Sequence, residues 1–228
     1  MLLENAASQI VRELRDPFDE TIRVVNVAVQ EPPRALYRGP HDVAYTVNLT
    51  AKDRHWAQFA YQFAHEFCHV LSGHERLRDN PNNWLHEAIC ELGSLFVLRR
   101  MGKRWDSEAP YPNWISYSQS LTDYAVSVME KYRRCPLKAT LGAWLSANEE
   151  AMRSCPYLRD KNGVVALRLL PVFEEYPHGW NAVRMLPPST GRAVEYIEAW
   201  KASVGDADRS FVEHIGTALT FYGRNPWT

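Results

Sequence analysis

The amino-acid sequence predicts an α+β fold, in which a small N-terminal β-sheet lies beside a mainly α-helical body. Two observations support this prediction. Segments rich in β-branched residues, which favour strands, are confined to the first 50 residues. From residue 116 onward the apolar spacing is helical almost throughout, and prolines and glycines separate the helices.

The length of the chain suits one domain. Its 228 residues are ample for a hydrophobic core. We therefore expect a single domain over residues 1–228. Residues 1–102 would form the sheet and two central helices, and residues 103–228 a helical subdomain that completes a cleft.

Charge and hydropathy argue against several classes of protein. The net charge is −1 at pH 7 and no run of lysine and arginine occurs, so we expect no nucleic-acid partner. No apolar run is long enough to span a membrane, so no membrane partner is expected. Residues 1–5 lack the basic start of a signal peptide, which predicts a cytoplasmic location. The oligomeric state is left open.

The first part of the chain is predicted to contain one helix and three strands. The helix covers residues 4–15 and stops before a proline. Strands are predicted at 21–29, 36–38 and 43–49. The last of these alternates apolar and polar residues and leads directly into the next helix.

That next helix carries the most specific motif of the sequence. Apolar residues recur at helical spacing over residues 56–71. His65 and His69 lie one turn apart on the opposite, polar face, where both imidazoles can reach one metal ion. Glu66 completes a His-Glu-x-x-His pattern and is placed to take a proton from a metal-activated water. The alternative is an ordinary solvated helix face.

A second amphipathic helix is predicted after residue 81. One face carries Glu87, Glu91 and Ser94, and the other is apolar. Two carboxylates one turn apart would repel each other if exposed alone, but not beside a divalent cation. The apolar face consists of Leu85, Ile89, Leu92 and Phe96.

The sequence also predicts where the two helices begin and end. The first helix is expected to begin at a capping box over residues 50–53 and to end at Gly73. The second is expected to begin at Asn82 or Asn83 and to end near Met101-Gly102.

Together the two helices resemble the gluzincin metallopeptidases. Residues 84–88, Trp-Leu-His-Glu-Ala, are similar to the Trp-Leu-Asn-Glu-Gly segment of the aminopeptidase-like branch. Residues 87–91, Glu-Ala-Ile-Cys-Glu, are similar to the Asn-Glu-Ala-Ile-Ser-Asp segment of thermolysin-like enzymes. The likeness covers roughly residues 41–102. It implies a zincin-like core, zinc bound by His65, His69 and Glu87, and Glu66 as general base. It further implies that Glu91 orients a ligand imidazole, most simply that of His65.

The resemblance also bears on substrate binding. In gluzincins, the strand before the zinc helix is a sheet edge that pairs with extended substrate. Strand 43–49 is therefore either that edge or an ordinary internal strand. Aminopeptidase-like exopeptidases carry a Gly-x-Met-Glu-Asn segment here, whose glutamate holds the substrate amino group. Residues 39–46 contain no glutamate, and Asp42 is the one possible substitute.

A second, looser likeness concerns the oxyanion. Residues 157–163, Tyr-Leu-Arg-Asp-Lys-Asn-Gly, look like the Tyr-Glu-Lys-Gly segment that opens a helix in aminopeptidase-like gluzincins, with Gly163 helping to start the helix. The resemblance implies that the Tyr157 hydroxyl stabilises the oxyanion of the tetrahedral intermediate. Tyr176 and His178 are alternative donors.

The four cysteines do not form a disulfide framework in a chain of this length. Cys68 and Cys90 lie on the two site helices, either as zinc thiolates or as small buried residues. Cys135 and Cys155 are interpreted as structural or solvent-facing thiols.

Residues 103–115 are expected to form a loop packed by its aromatic side chains. Further helices are predicted at 118–133, 137–152, 163–176, 179–186, 191–204 and 207–221.

The combined expectation is a zinc metallopeptidase of gluzincin type that acts on a peptide or protein substrate, as an endopeptidase or oligopeptidase. A serine hydrolase is not expected, because no Gly-x-Ser-x-Gly is present. Two alternatives remain: a zinc-binding scaffold or interaction domain without turnover, and a hydrolase of non-peptide amides on the same fold.

Overall fold

In the computed structural model, which describes residues 1–27, 31–39, 41–77, 79–133 and 140–220, a three-stranded sheet lies beside a mainly helical body. This confirms the α+β prediction. The strands are β1 (Ile22–Asn26), β2 (Arg34–Leu36) and β3 (Tyr45–Leu49). The helices are α1 (Leu2–Val11), α2 (Trp56–Leu71), α3 (Asn83–Trp105), α4 (Ser118–Arg133), α5 (Leu141–Ser154), α6 (Arg159–Glu175), α7 (Trp180–Val183), α8 (Ala193–Ser203) and α9 (Asp206–Thr220).

Strand β3 is the central strand of the sheet. It runs parallel to β1 and antiparallel to β2, with Val47 between Val24 and Ala35. Of the two alternatives for strand 43–49, the sheet edge is therefore wrong and the internal strand is confirmed. Alternating burial shows which face of a strand meets the core, but pairing lies in the plane of the sheet and leaves no such pattern. Among the described strands, β1 and β2 form the edges.

Helix α2 starts later than its sequence suggests. The predicted capping box at residues 50–53 is wrong: α2 begins at Trp56, and no side chain caps it. The Gln62 side chain explains the difference, because its Oε1 accepts the backbone N–H groups of Thr50 and Ala51 at 3.0 Å each. The backbone N–H groups of Thr50 and Ala51 therefore already have an acceptor, the side chain of a residue on α2, and do not need a capping side chain before it. The predicted end is confirmed, since Gly73 follows Leu71 and Ser72 with φ +63°.

Helix α3 is the central helix of the molecule. Nearly all residues over 84–98 are buried, and α2, α4 and α6 pack around them. The prediction of one apolar and one polar face is therefore too simple, because Glu91 and Ser94 are buried as well. The predicted end near Gly102 is also wrong. A Cβ at Gly102 would lie 2.4 Å from Thr122 Oγ1, so this glycine permits the close approach of α4 and does not end α3.

The remaining helices match their predicted positions within a few residues. Helix α4 coincides with the prediction, whereas α6 begins at Arg159, so Gly163 lies inside the helix and does not start it. Residues 137–139 and 221 of the predicted helices, like Cys135, lie outside the described residues. The aromatic loop is packed as expected, with Trp114 against Trp56 and Trp105 at ring distances of 4.9 and 5.4 Å. Within the described ranges, no helix combines the length and the apolar character that crossing a membrane requires.

Candidate metal centre

The two histidines of the motif and Glu87 converge in one cluster between α2 and α3. His65 Nε2 lies 3.3 Å from one carboxylate oxygen of Glu87, and His69 Nε2 lies 3.4 Å from the other. The three side chains are 14–17% exposed, so the cluster is open to solvent on one side. Two imidazoles and a carboxylate form a donor set that suits catalytic zinc, with one position left for water.

Glu91 lies one turn beyond Glu87 and faces the other ring nitrogen of His65. Its Oε2 is 3.7 Å from His65 Nδ1. His65 is thus flanked by a carboxylate at each ring nitrogen, as a zinc ligand with an outer orienting partner would be. Glu91 thus lies beside His65, the imidazole that the resemblance implied it would orient.

Electrostatics reflect this crowding of carboxylates and imidazoles. Burial by itself lowers the pKa of His65, but the adjacent Glu87 and Glu91 outweigh it and raise that pKa to about 10. Burial would raise the pKa of Glu87, yet the imidazoles of His69 and His65 lower it to about 2. In the metal-free cluster the two carboxylates therefore favour the doubly protonated, charged form of the His65 imidazole. A divalent cation would compete with a proton for the same donor atoms.

Cys90 provides a second possible donor set. Its Sγ lies 3.4 Å from Nδ1 of His69, and donor atoms of His65, His69 and Cys90 lie within 4.8 Å of one another. The Sγ of Cys90 faces the ring nitrogen of His69 that is not directed at Glu87. We favour the Glu87 set, because both Nε2 atoms face its carboxylate. In the metal-free protein, burial holds the pKa of the Cys90 thiol far above its usual value.

Cys68 is buried and Cys155 is exposed, and both are free thiols. A Cβ at Gly93 would lie 2.3 Å from Cys68 Sγ, so the Cys68 side chain fills the space beside α3. For Cys68, the interpretation as a small buried residue is therefore supported.

Glu66 lies next to the cluster and is 4% exposed. Its Oε2 accepts the backbone N–H of Ala35 in β2, at 2.6 Å. Burial raises the pKa of Glu66, against the opposing effects of His65 and the Ala35 N–H. A carboxylate beside the imidazoles, with a raised proton affinity, is chemically able to accept a proton.

The three candidate oxyanion donors lie at the two ends of α6. Tyr157 lies before α6 and is 70% exposed, and partial burial and the negative charge of Glu87 raise its pKa. Tyr176 lies at the opposite end of α6, where it stacks on His214 at 4.7 Å. A helix of 17 residues is about 25 Å long. Tyr176 and the adjacent His178 are thus too distant to share a site with Tyr157.

Three residues of the site were not predicted from the sequence. Tyr61 and Tyr132 both donate hydrogen bonds to Oε1 of Glu91. The position of Tyr61, one turn before His65, was a usable signal, whereas Tyr132 on α4 carried none. His74 donates from Nδ1 to the His69 carbonyl at 3.0 Å and stacks on Tyr37. Its contact holds the end of α2 against the loop that follows.

In the segment before α2, the Asp42 carboxylate is bonded to the chain's own backbone. Asp42, the possible substitute for the missing glutamate, accepts the backbone N–H of Gly39 at 2.7 Å. Comparisons of this chain with models of protein families, with curated proteins and with solved structures gave no match.

Proposed function

We propose that the protein is a zinc-dependent hydrolase of peptide bonds with a gluzincin type of site. The observation that carries the proposal is the convergence of His65 Nε2 and His69 Nε2 on the two carboxylate oxygens of Glu87. Glu66 lies beside this cluster. A bound zinc ion would supply a Lewis acid for the scissile carbonyl and a water that ionises near pH 7.

Glu66 is the general base in this proposal. The Ala35 N–H holds Oε2, which leaves Oε1 to carry the proton. The same oxygen then returns the proton to the leaving amine as the peptide bond breaks. Because Ala35 fixes the carboxylate at one end, Glu66 can exchange a proton without changing its rotamer.

Strand β2 supports a substrate in extended conformation. In a strand the N–H and C=O of one residue point to the same side. Since the Ala35 N–H is bonded to Glu66, the outer edge of β2 faces the site, and there the Ala35 C=O can accept a substrate N–H. A peptide that adds to this edge would place its backbone beside the cluster. Because residues 39–46 contain no glutamate that could hold a free amino group, we propose an endopeptidase or oligopeptidase.

A metal-binding scaffold without turnover is the second candidate. The observation in its favour is that Glu66 is almost fully buried and already bonded to backbone. In a scaffold, the same carboxylate would serve only to fasten β2 to α2.

A single variant separates the two candidates. Glu66→Gln keeps the side-chain shape and removes the base. Zinc content and the digestion of a proteome-derived peptide library, with free and N-acetylated termini, are measured for variant and wild type. We expect full zinc content, a loss of turnover of about 100-fold or more, and cleavage of acetylated peptides by the wild type.

Glu75→Gln is the matched control. Glu75 also accepts a backbone N–H from the segment after β2, that of Arg38 at 2.5 Å, but has no contact with the imidazoles of His65 and His69 among the described residues. This variant should cleave at the wild-type rate. Wild-type turnover in Glu66→Gln would refute the peptidase mechanism. A zinc-loaded wild type that cleaves nothing would favour the scaffold. Release of free amino acids only from unblocked peptides would contradict the endopeptidase assignment.

A further inference from the structure

Glu91 is a buried carboxylate with an unusual set of donors. It is 6% exposed, and one of its oxygens, Oε1, accepts hydrogen bonds from two phenols. Tyr132 donates at 2.6 Å, and Tyr61 donates to the same oxygen. The other oxygen, Oε2, faces His65 Nδ1. One oxygen of Glu91 is thus held by the two tyrosines, while the other faces the imidazole of His65.

These donors come from different helices. Tyr61 lies on α2, one turn before His65, so its ring and the imidazole share one face of the helix. Tyr132 lies near the end of α4. Helix α6 makes room for the Tyr132 ring through Gly163, where a Cβ would lie 2.1–2.4 Å from ring atoms. Four helices therefore meet around one carboxylate.

Burying a carboxylate is unfavourable unless its oxygens are hydrogen-bonded. Two phenols on Oε1 compensate for much of this loss of hydration. They also prevent rotation of the carboxylate, because turning it would break both bonds. As a result Oε2 stays directed at His65, and through it the imidazole keeps its Nε2 directed at Glu87.

We propose that Tyr61 and Tyr132 are positioning residues of the metal centre, which set its metal affinity by holding Glu91 against His65. The proposal rests on the proposed metal binding by His65, His69 and Glu87, but not on peptidase activity. It assigns a role to two hydroxyl groups that lie outside the proposed metal ligands and bond to Glu91. The two tyrosine hydroxyl groups would affect the metal ion indirectly, through the carboxylate of Glu91 and the imidazole of His65.

The test uses Tyr61→Phe, Tyr132→Phe and the double variant, each of which removes only oxygen. Zinc affinity is measured by competition with a chelator, and the visible absorption spectrum is recorded with Co²⁺ in place of zinc. We expect each single variant to bind zinc about 3–10-fold more weakly, and the double variant about 10–100-fold, the usual effect of losing an outer partner of a metal ligand. The cobalt spectrum of the double variant should change, because the ligand geometry at His65 loosens.

Tyr124→Phe is the matched control. Tyr124 lies on α4, its ring packs edge-on against Tyr61 at 5.6 Å, and among the described residues its hydroxyl has no bond to Glu91. It should keep wild-type affinity and spectrum. A purely structural role of Tyr61 and Tyr132 would lower the melting temperature of the metal-free protein and leave the cobalt spectrum unchanged.

The outcomes are distinct. If the wild type binds metal and the double variant matches it in affinity and spectrum, this inference is wrong while the proposed function stands. If the wild type binds neither zinc nor cobalt, the proposed function is wrong, and this inference with it. Should the double variant not fold, the two single variants are compared with Tyr124→Phe by the same measurements.

Discussion

At the scale of single residues, His69 lies between two possible partners on one helix. Glu87 approaches its Nε2 and Cys90 its Nδ1, because these residues are three positions apart on α3. One imidazole cannot bind the same ion through both ring nitrogens. The choice of nitrogen therefore decides whether the centre is a carboxylate or a thiolate site.

Paired variants on α3 test this choice. Glu87→Gln should weaken zinc binding by more than about 100-fold, beyond the effect of losing an outer partner. Cys90→Ala should change it by less than about 10-fold, since the thiol would serve only as an outer contact of His69. Chelator competition measures both. The reverse order of effects would assign the ion to His65, His69 and Cys90.

Tyr157 is the second residue with a testable role. Hydrolysis places negative charge on the former carbonyl oxygen, and a positioned donor contributes about 3–4 kcal/mol to its stabilisation. Tyr157→Phe should therefore lower kcat by about 100-fold or more while KM and zinc content stay nearly constant, the pattern of an interaction made only in the transition state.

Tyr176→Phe, at the far end of α6, serves as control for Tyr157→Phe and should have no effect on kcat. It removes a hydroxyl from a ring that stacks on His214, away from the cluster. A loss below about threefold in Tyr157→Phe would remove Tyr157 from the mechanism.

At the scale of elements, the approach of α4 to α6 depends on one glycine. Gly163 lies inside α6 against the Tyr132 ring, at a distance that admits no Cβ. The closeness of these helices is what brings the Tyr132 hydroxyl to Glu91. A helix-interior glycine normally weakens a helix, so its place here reflects packing and not local preference.

Gly163→Ala should lower the free energy of unfolding by about 1–3 kcal/mol, because overpacking outweighs the gain in helix propensity. Urea denaturation gives the value. Gly205→Ala is the control, since a Cβ there meets nothing within 4 Å, and its effect should stay within about 0.5 kcal/mol. Equal stability of the two variants would show that Tyr132 moves aside without cost.

At the scale of the whole molecule, polar contacts join distant parts of the chain around the site helices. Arg15 pairs with Asp208 of α9, and its backbone N–H donates to the Asn181 side chain at 2.9 Å. Arg153 of α5 donates to Asn82 at 2.8 Å, directly before α3. The start of the helix that carries Glu87 is therefore held by the C-terminal half of the chain.

The sequence by itself determined the two site helices and the positions of their histidines and carboxylates. Helical periodicity is local, since residues three and four apart share a face whatever surrounds the helix. His65 and His69 could thus be placed on one face of α2, and Glu87 and Glu91 on one face of α3, before any tertiary contact was known.

Only the tertiary structure decided which other parts of the chain contact the two site helices. The central place of β3, the Ala35 bond to Glu66 and the Tyr132 bond to Glu91 join segments that are far apart in the chain. Such contacts depend on how the elements pack, so they cannot be predicted from the spacing of residues within one element. The physical reason is that periodicity shows which residues share a face of an element, whereas the partner of that face is chosen by the shape and hydrogen-bonding groups of the whole fold.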